Sequence, residues 1–361
     1  MAVSRRALLL GGGSAALAVA AGTTTAFAQT PAPAPPPGEP GVTGTLRLLG
    51  DTAPVRAEQR LTHLGLSWSG EPDVGLRVRV GSDWQALPVR AACGGGRDDR
   101  PGRRRSALVA VPDTGEYTLD MGTDTPVRVG EINTMAEPKS ASGPRSEKWD
   151  DGLVYRTRAG WGADEGLRFS AEGTELFPPT WHPVQTLTVH HSATQNNDPN
   201  PASTVRGIYY DHTVTREFGD LGYHLLIDEA GALYEGRWSG DDPVPVFGGA
   251  STHKAPLMAN AAHVGGFNAG NVGVVLLGDL VDVEPTSAAL DTLLQVLTVL
   301  TRVCRLDPTG TTDYVNPISG ATATVPTISG HQDWEPTTEC PGDKLHAKLP
   351  EIRKRIAAAL A

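Results

Sequence analysis

Between residues 41 and 133 the apolar positions fall in short alternating or continuous runs, "GTLRLLG", "HLGLSWS", "VGLRVRV", "SALVAVP" and "YTLDMG", separated by Gly, Pro and Asp. A period of two over stretches this short predicts half-buried strands, and their spacing predicts a small β-sandwich. Residues 134–152 are polar and without period, so a linker between two units is expected there. From 153 onward the texture is that of mixed strands and helices. "TLTVHH" and "NVGVVLLGDL" read as strands, and "YHLLIDEAGALYEGR" as a hairpin turning at Glu229–Gly231. "STVRGIYYDHTVTREF" predicts a helix with Ser203 as its N-cap. Over 286–304, Leu290, Leu293, Leu294, Leu297 and Leu300 form one apolar stripe behind a Thr286 or Ser287 cap, the pattern of an amphipathic helix. A last helix has Pro350 in its first turn and Ile352 and Ile356 on one face. There are no internal repeats.

The N-terminus changes the picture of where the chain works. Arg5 and Arg6 precede a short apolar run that ends in Ala26-Phe27-Ala28, the pattern of a twin-arginine signal peptide over residues 1–28. The run is short and rich in Gly, Ala and Thr, which suits cleavage rather than a lasting membrane span. Residues 29–40 form a Pro-rich, extended spacer. The mature product is therefore expected outside the cytoplasm, secreted or in the cell wall, and as a monomer. No other segment is apolar enough to suggest a span. The length of 361 residues suits two domains, at 41–133 and 153–361. Formal net charge is −10, and −12 once Arg5 and Arg6 are removed, a poor balance for nucleic-acid binding. Arg103, Arg104 and Arg105 lie in the loop "CGGGRDDRPGRRRS", which reads as solvated.

Candidate chemistry centres on "GHQDWEPTTECPGD", where His331 and Cys340 stand nine residues apart in a Pro- and Thr-rich loop. Zinc accepts imidazole nitrogen and thiolate sulfur, and catalytic zinc takes three protein ligands. "TLTVHH" offers the third. Successive strand side chains point to opposite faces. His191 shares parity with Leu187 and Val189 on the core face, whereas His190 shares parity with Thr188, so His190 is the better ligand. Single histidines are more often structural, and a free cysteine is usually inert and buried, so spacing alone does not decide the matter.

A resemblance adds to this. "AGWGA" after Arg158, "TVHHSAT", "GDLGYHLLIDEAGALYEGR", "AHVGGFNAGNVGVVLLGD" and "GHQD…TTECPG" occur in the order seen in zinc-dependent N-acetylmuramoyl-L-alanine amidases, the type 2 amidase and peptidoglycan recognition protein family, over roughly 154–361. The resemblance implies a mixed β-sheet flanked by helices, an α/β fold, behind the small all-β domain. It implies Zn2+ held by His190, His331 and Cys340, and cleavage of the bond between N-acetylmuramic acid and L-alanine of the peptidoglycan stem peptide. Tyr223 matches an active-site tyrosine that donates to the oxyanion, and Thr338 a position of lysine or threonine. His212, His263 and Asn268 match positions that contact the muramyl-peptide. One departure is Gln332, where the family commonly has arginine, with Trp334 nearby; Asp333 is a candidate outer-shell acceptor. Trp161 is expected in the core, and Cys93 and Cys304 are left as candidates for a disulfide. A non-catalytic peptidoglycan-binding module is the alternative, but such members tend to have lost the cysteine ligand. A phosphate- or nucleotide-handling metalloenzyme is excluded, since there is neither a Gly-rich phosphate loop nor a carboxylate cluster. Because 41–133 carries none of these residues, a chain starting near 150 is expected to hold all of the chemistry.

Overall fold

The alternating runs at the start of the chain pair as expected into two antiparallel sheets. The computed structural model describes residues 40–361 except 71–73, 93–94, 101–103, 122–125, 137–143, 150–151 and 242–243. The signal peptide, nearly all of the spacer, Cys93 and Arg103 lie outside the described residues. Strands β1 (Gly41–Leu49), β2 (Val55–Arg56), β3 (His63–Trp68), β4 (Val74–Val80), β5 (Asp83–Leu87), β6 (Arg105–Ala110), β7 (Glu116–Met121) and β8 (Val127–Ala136) build sheets of order β1-β8-β3-β6 and β2-β7-β4-β5. Leu64, Leu66, Trp68, Val78, Tyr117 and Val129 fill the space between them. The polar-looking β8 is missing from the sequence reading because its central Glu131 is buried. That carboxylate accepts from Thr45 Oγ1 (2.7 Å), Arg47 Nε (2.7 Å) and Tyr117 Oη (3.0 Å).

The second unit is a mixed sheet of β9 (Ser146–Lys148), β10 (Val154–Arg156), β12 (Thr186–His191), β13 (Leu225–Ile227), β14 (Leu233–Glu235), β16 (Asn271–Leu276) and β19 (Ile328–Gly330), in order β19-β12-β16-β13-β14-β10-β9. β11 (Trp181–Pro183) pairs with β15 (Leu257–Ala259), and β17 (Thr311–Val315) with β18 (Thr322–Pro326), as small ribbons. Helix α1 (Pro201–Tyr210) continues as a π-helical turn over Asp211–Thr215; α2 is Ser287–Cys304 and α3 Leu349–Leu360. The N-cap of α1 is Asn200, not Ser203. Asn200 accepts from Ser203 N, and Pro201 occupies the first position, where a missing N–H costs nothing. Thr286 caps α2. By length and composition α2 is apolar enough to cross a membrane, contrary to the sequence reading, yet Leu293, Val296, Leu297 and Leu300 are buried in the core between sheet and α3.

The expected linker is only partly a linker. β8 runs to Ala136, β9 joins the second sheet, and Trp149 lies in the core of that unit. The two units also share a hydrophobic cluster: Val42, Leu108 and Ile132 of the sandwich pack with Val205, Ile208, Tyr209 and Tyr210 of α1 and with Tyr223. Glycine lets the backbones meet, since a Cβ at Gly44 would collide with the Tyr210 ring and one at Gly65 with Asp211 Oδ1. A chain starting near 150 would leave this cluster bare. Cys304, half-buried at the end of α2, is a free thiol among the described residues, its candidate partner Cys93 lying outside them, and burial pushes its pKa up.

Asp211 sits in this interface with no hydrogen-bond partner for Oδ1. Burial raises its pKa from 3.8 to about 7, with Arg216 pulling the other way. The folded state therefore keeps a proton that the unfolded state releases, and this contribution to stability is lost as pH rises from about 4 to about 7. Asp211→Asn is expected to flatten that fall: its melting temperature, relative to wild type, should be higher at pH 8 than at pH 4.5. The same difference at both pH values would contradict the assignment.

Candidate metal centre

Topology brings the donors together. β12 lies between β16 and β19 and is parallel to both, with Val189 opposite Gly330. His190 on β12 and His331, the residue after β19, therefore emerge at the same C-terminal sheet edge, where parallel sheets place their ligands. The loop after His331 folds back, with Gln332 N donating to Cys340 O at 2.8 Å. Trp334 anchors that loop: its Nε1 donates to Thr188 Oγ1 and Ser329 Oγ, both at 2.9 Å, and its ring packs on Tyr314 and Phe267. One ligand atom from each of His190, His331 and Cys340 falls within 4.8 Å of the others, and all three residues are buried. His191, of opposite parity, accepts instead from Leu280 N at 3.0 Å.

The chemistry of the cluster fits a metal ion. His331 is 0% exposed, yet neither Nδ1 nor Nε2 has a hydrogen-bond partner. A buried imidazole normally satisfies both nitrogens. His190 Nδ1 faces Cys340 Sγ at 3.4 Å. Two imidazoles and one thiol, buried and converging, are a donor set suited to zinc.

Tyr223 is buried next to the cluster, its ring 5.3 Å from that of His190 and 5.2 Å from that of His212. Thr338 Oγ1 accepts from Cys340 N at 3.3 Å and so shapes the turn that presents the thiol. Asp333 does not reach the donors: Gly330 N (2.8 Å) and His346 Nε2 (2.9 Å) donate to it. His212, His263 and Asn268, expected along a groove, are all buried. His212 Nδ1 accepts from Gly222 N at 2.9 Å. His263 Nδ1 stands 3.0 Å from His190 Nε2. Asn268 Oδ1 accepts from the backbone of His263 and Val264. These contacts let His263 and Asn268 support the cluster. His224, by contrast, is a structural histidine that burial lowers to about 4; its Nε2 donates to Ala259 O and its Nδ1 accepts from Gly273 N.

Sequence reasoning missed Asp220, which fixes the segment carrying Tyr223. Arg158 Nη1 (3.1 Å) and Arg237 Nη1 (2.7 Å) donate to its two oxygens, as do Leu221 N (2.7 Å) and Trp238 N (3.0 Å). Burial alone would raise its pKa, but Arg158 and Arg237 outweigh it and hold the group at about 2. The signal was the acid before "LGYH"; its partners lie far off in sequence.

Residues 180–343 match the model of the family described as N-acetylmuramoyl-L-alanine amidase. Human peptidoglycan recognition protein 3 is 31% identical over 90 residues, 25% of this chain and 21% of that protein. A peptidoglycan recognition protein of Trichoplusia ni is 26% identical over 117 residues, 32% of this chain and 54% of that protein. The chain thus spans about a fifth and about half of these two relatives. The structure of wild-type Drosophila PGRP-LB is 24% identical, with a TM-score of 0.37, covering 54% of this chain and 90% of that one.

Asp220→Asn is expected to cost about 3–5 kcal/mol, because two buried guanidiniums lose their shared counter-charge. Wild type should also lose stability from this group as pH falls from about 3.8 to about 2, where the carboxylate is protonated in turn in the unfolded and folded states. Denaturant melts of both proteins at neutral and acid pH check this; an unchanged midpoint at neutral pH would contradict it.

Proposed function

We propose, from the match of residues 180–343 to the N-acetylmuramoyl-L-alanine amidase family, that the chain is an exported zinc hydrolase that cleaves the amide bond between N-acetylmuramic acid and the L-alanine of the peptidoglycan stem peptide. The observation that carries the reading is the buried convergence of His190, His331 and Cys340, with both His331 nitrogens left without a hydrogen bond and only Glu335 Oε2 near Nε2, at 3.9 Å. Export is supported by Arg5, Arg6 and the small-x-small site at Ala26-Phe27-Ala28.

His190 through Nδ1, His331 and Cys340 through Sγ are the residues that would hold zinc. Bound there, zinc supplies Lewis acidity toward the amide carbonyl and lowers the pKa of a water molecule to about 7. The protein's own part is orientation and charge placement. When the amide carbon becomes tetrahedral, its oxygen gains negative charge, and the Tyr223 hydroxyl donates a hydrogen bond to it. Buried surroundings strengthen that bond relative to water. Thr338 keeps the Cys340 turn in place, and in this reading its hydroxyl is a second donor to the oxyanion. Asp220, clamped by Arg158 and Arg237, fixes the backbone from which Tyr223 projects.

Purified sacculi incubated with the mature chain, with and without a chelator, test the reading by mass spectrometry of the soluble products. Free stem peptides beginning with L-alanine are expected, and chelation should abolish them. Binding to sacculi without release of peptide would instead support the non-catalytic module. Two variants separate roles within the site. Cys340→Ser should lose metal and turnover together. Tyr223→Phe should keep its metal while kcat falls ~10²–10³-fold and KM changes little; normal kcat in Tyr223→Phe would remove the hydroxyl from the mechanism.

A further inference from the structure

The loop that joins β5 to β6 reads in sequence as a solvated, Gly- and Arg-rich excursion of the sandwich. In the fold its residues Gly95–Asp99 lie against the segment 262–269 of the other unit. Gly95 is so close that a Cβ would fall 2.7 Å from Ala262 O. Arg97 holds the loop, donating to Asp99 (2.8 and 2.6 Å), Leu176 O (2.8 Å) and Phe218 O (3.2 Å). Asp98 turns the other way. Its Oδ1 accepts from Asn268 N (3.1 Å) and Asn268 Nδ2 (2.6 Å), and its Oδ2 from Ala269 N (3.0 Å). Gly96 O takes a further bond from Asn268 Nδ2 at 2.7 Å.

These contacts dictate which way Asn268 points. Its Nδ2 faces only acceptors, so its Oδ1 faces the N–H groups of His263 (2.7 Å) and Val264 (2.9 Å). That fixes the backbone carrying the His263 ring. Ring chemistry carries the order onward. His263 Nε2 lies 2.9 Å from Asn271 O, which can only accept, so Nε2 holds the proton and Nδ1 is bare. His190 Nε2 at 3.0 Å must then donate to Nδ1, and the lone pair of His190 is left on Nδ1, the atom facing Cys340 Sγ at 3.4 Å.

We infer that the sandwich completes the metal centre, with Asp98 as a positioning residue that acts through Asn268 and His263 to set the tautomer and ring orientation of His190. The inference rests on the zinc reading above and assigns the N-terminal unit a part in it. A partner that orients a ligand histidine commonly changes metal affinity 10–100-fold when lost.

The test uses the full mature chain, stripped of metal and titrated with Zn2+ against a competing chelator, with Co2+ absorption as a reporter of ligand geometry. Asp98→Ala should weaken zinc about tenfold and alter the Co2+ spectrum. Asp98→Asn, which keeps the shape and one acceptor, should fall between it and wild type, and it decides the matter if the alanine variant does not fold. Arg97→Ala, which removes an anchor of the same loop but keeps Asp98 and its acceptors, should lower the melting temperature while weakening zinc much less than Asp98→Ala does. Arg100→Ala, on the exposed side of the loop, should match wild type in both. The inference is overturned if folded Asp98 variants bind zinc and Co2+ as wild type does, if affinity tracks melting temperature across Asp98 and Arg97 variants alike, or if Asp98→Ala is more active, as it would be were the loop a cover. A wild-type chain that takes up no zinc would instead overturn the zinc reading itself, and this inference with it.

Discussion

Three donor groups, His190, His331 and Cys340, converge where all three residues are buried, and much of the domain's architecture follows from holding them there. A buried polar group without a partner costs about 1–3 kcal/mol, and His331 leaves two such nitrogens. A sequence under no functional constraint would relieve that cost with a carbonyl, a hydroxyl or an apolar side chain. Here the surroundings reinforce it instead. Parallel pairing of β12 with β19 sets the two histidines side by side, and Trp334 pins the loop that returns Cys340 to them. The donor atoms converge because the backbone compels them, and a soft divalent ion is a partner that would satisfy all three.

Around this centre the protein invests in buried polar order rather than in a larger apolar core. Asp220 between Arg158 and Arg237 serves the Tyr223 segment, while His263 and Asn268 serve His190. Such networks add little net stability relative to apolar packing but are costly to break, so they fix geometry. The sandwich takes part in the same way. Its Ile132, Leu108 and Val42 lie in the cluster that contains Tyr223, and its loop reaches Asn268. Two units that are separate in hydrophobic pattern thus share one packed cluster, and the sandwich loop reaches a residue next to the site.

What was legible in the sequence was local. The period of two in "TLTVHH" told His190 from His191, because strand geometry leaves no other choice. The leucine stripe of α2 and its Thr286 cap were equally plain, as were most strands of the sandwich. β8 escaped because Glu131, a charged residue at its centre, is buried against Arg47, Thr45 and Tyr117, partners 14 to 86 residues away. The cap of α1 was misplaced because Asn200 and Pro201 outcompete Ser203 for the same role. Asp98 and Asn268 are 170 residues apart, and nothing in a Gly- and Arg-rich loop marks one aspartate as a partner of a distant amide. The same non-locality hid the roles of His263 and Asp220: each residue was visible, but its partners depended on the closed sheet.

The most direct measurement of the central claim is X-ray absorption at the zinc edge on the chain as purified from its producing cells. The account predicts about one zinc per chain with one sulfur at about 2.3 Å, two imidazole nitrogens at about 2.0–2.1 Å and a further light atom. A zinc shell without sulfur, or a folded chain that carries no metal and takes none up, would contradict it.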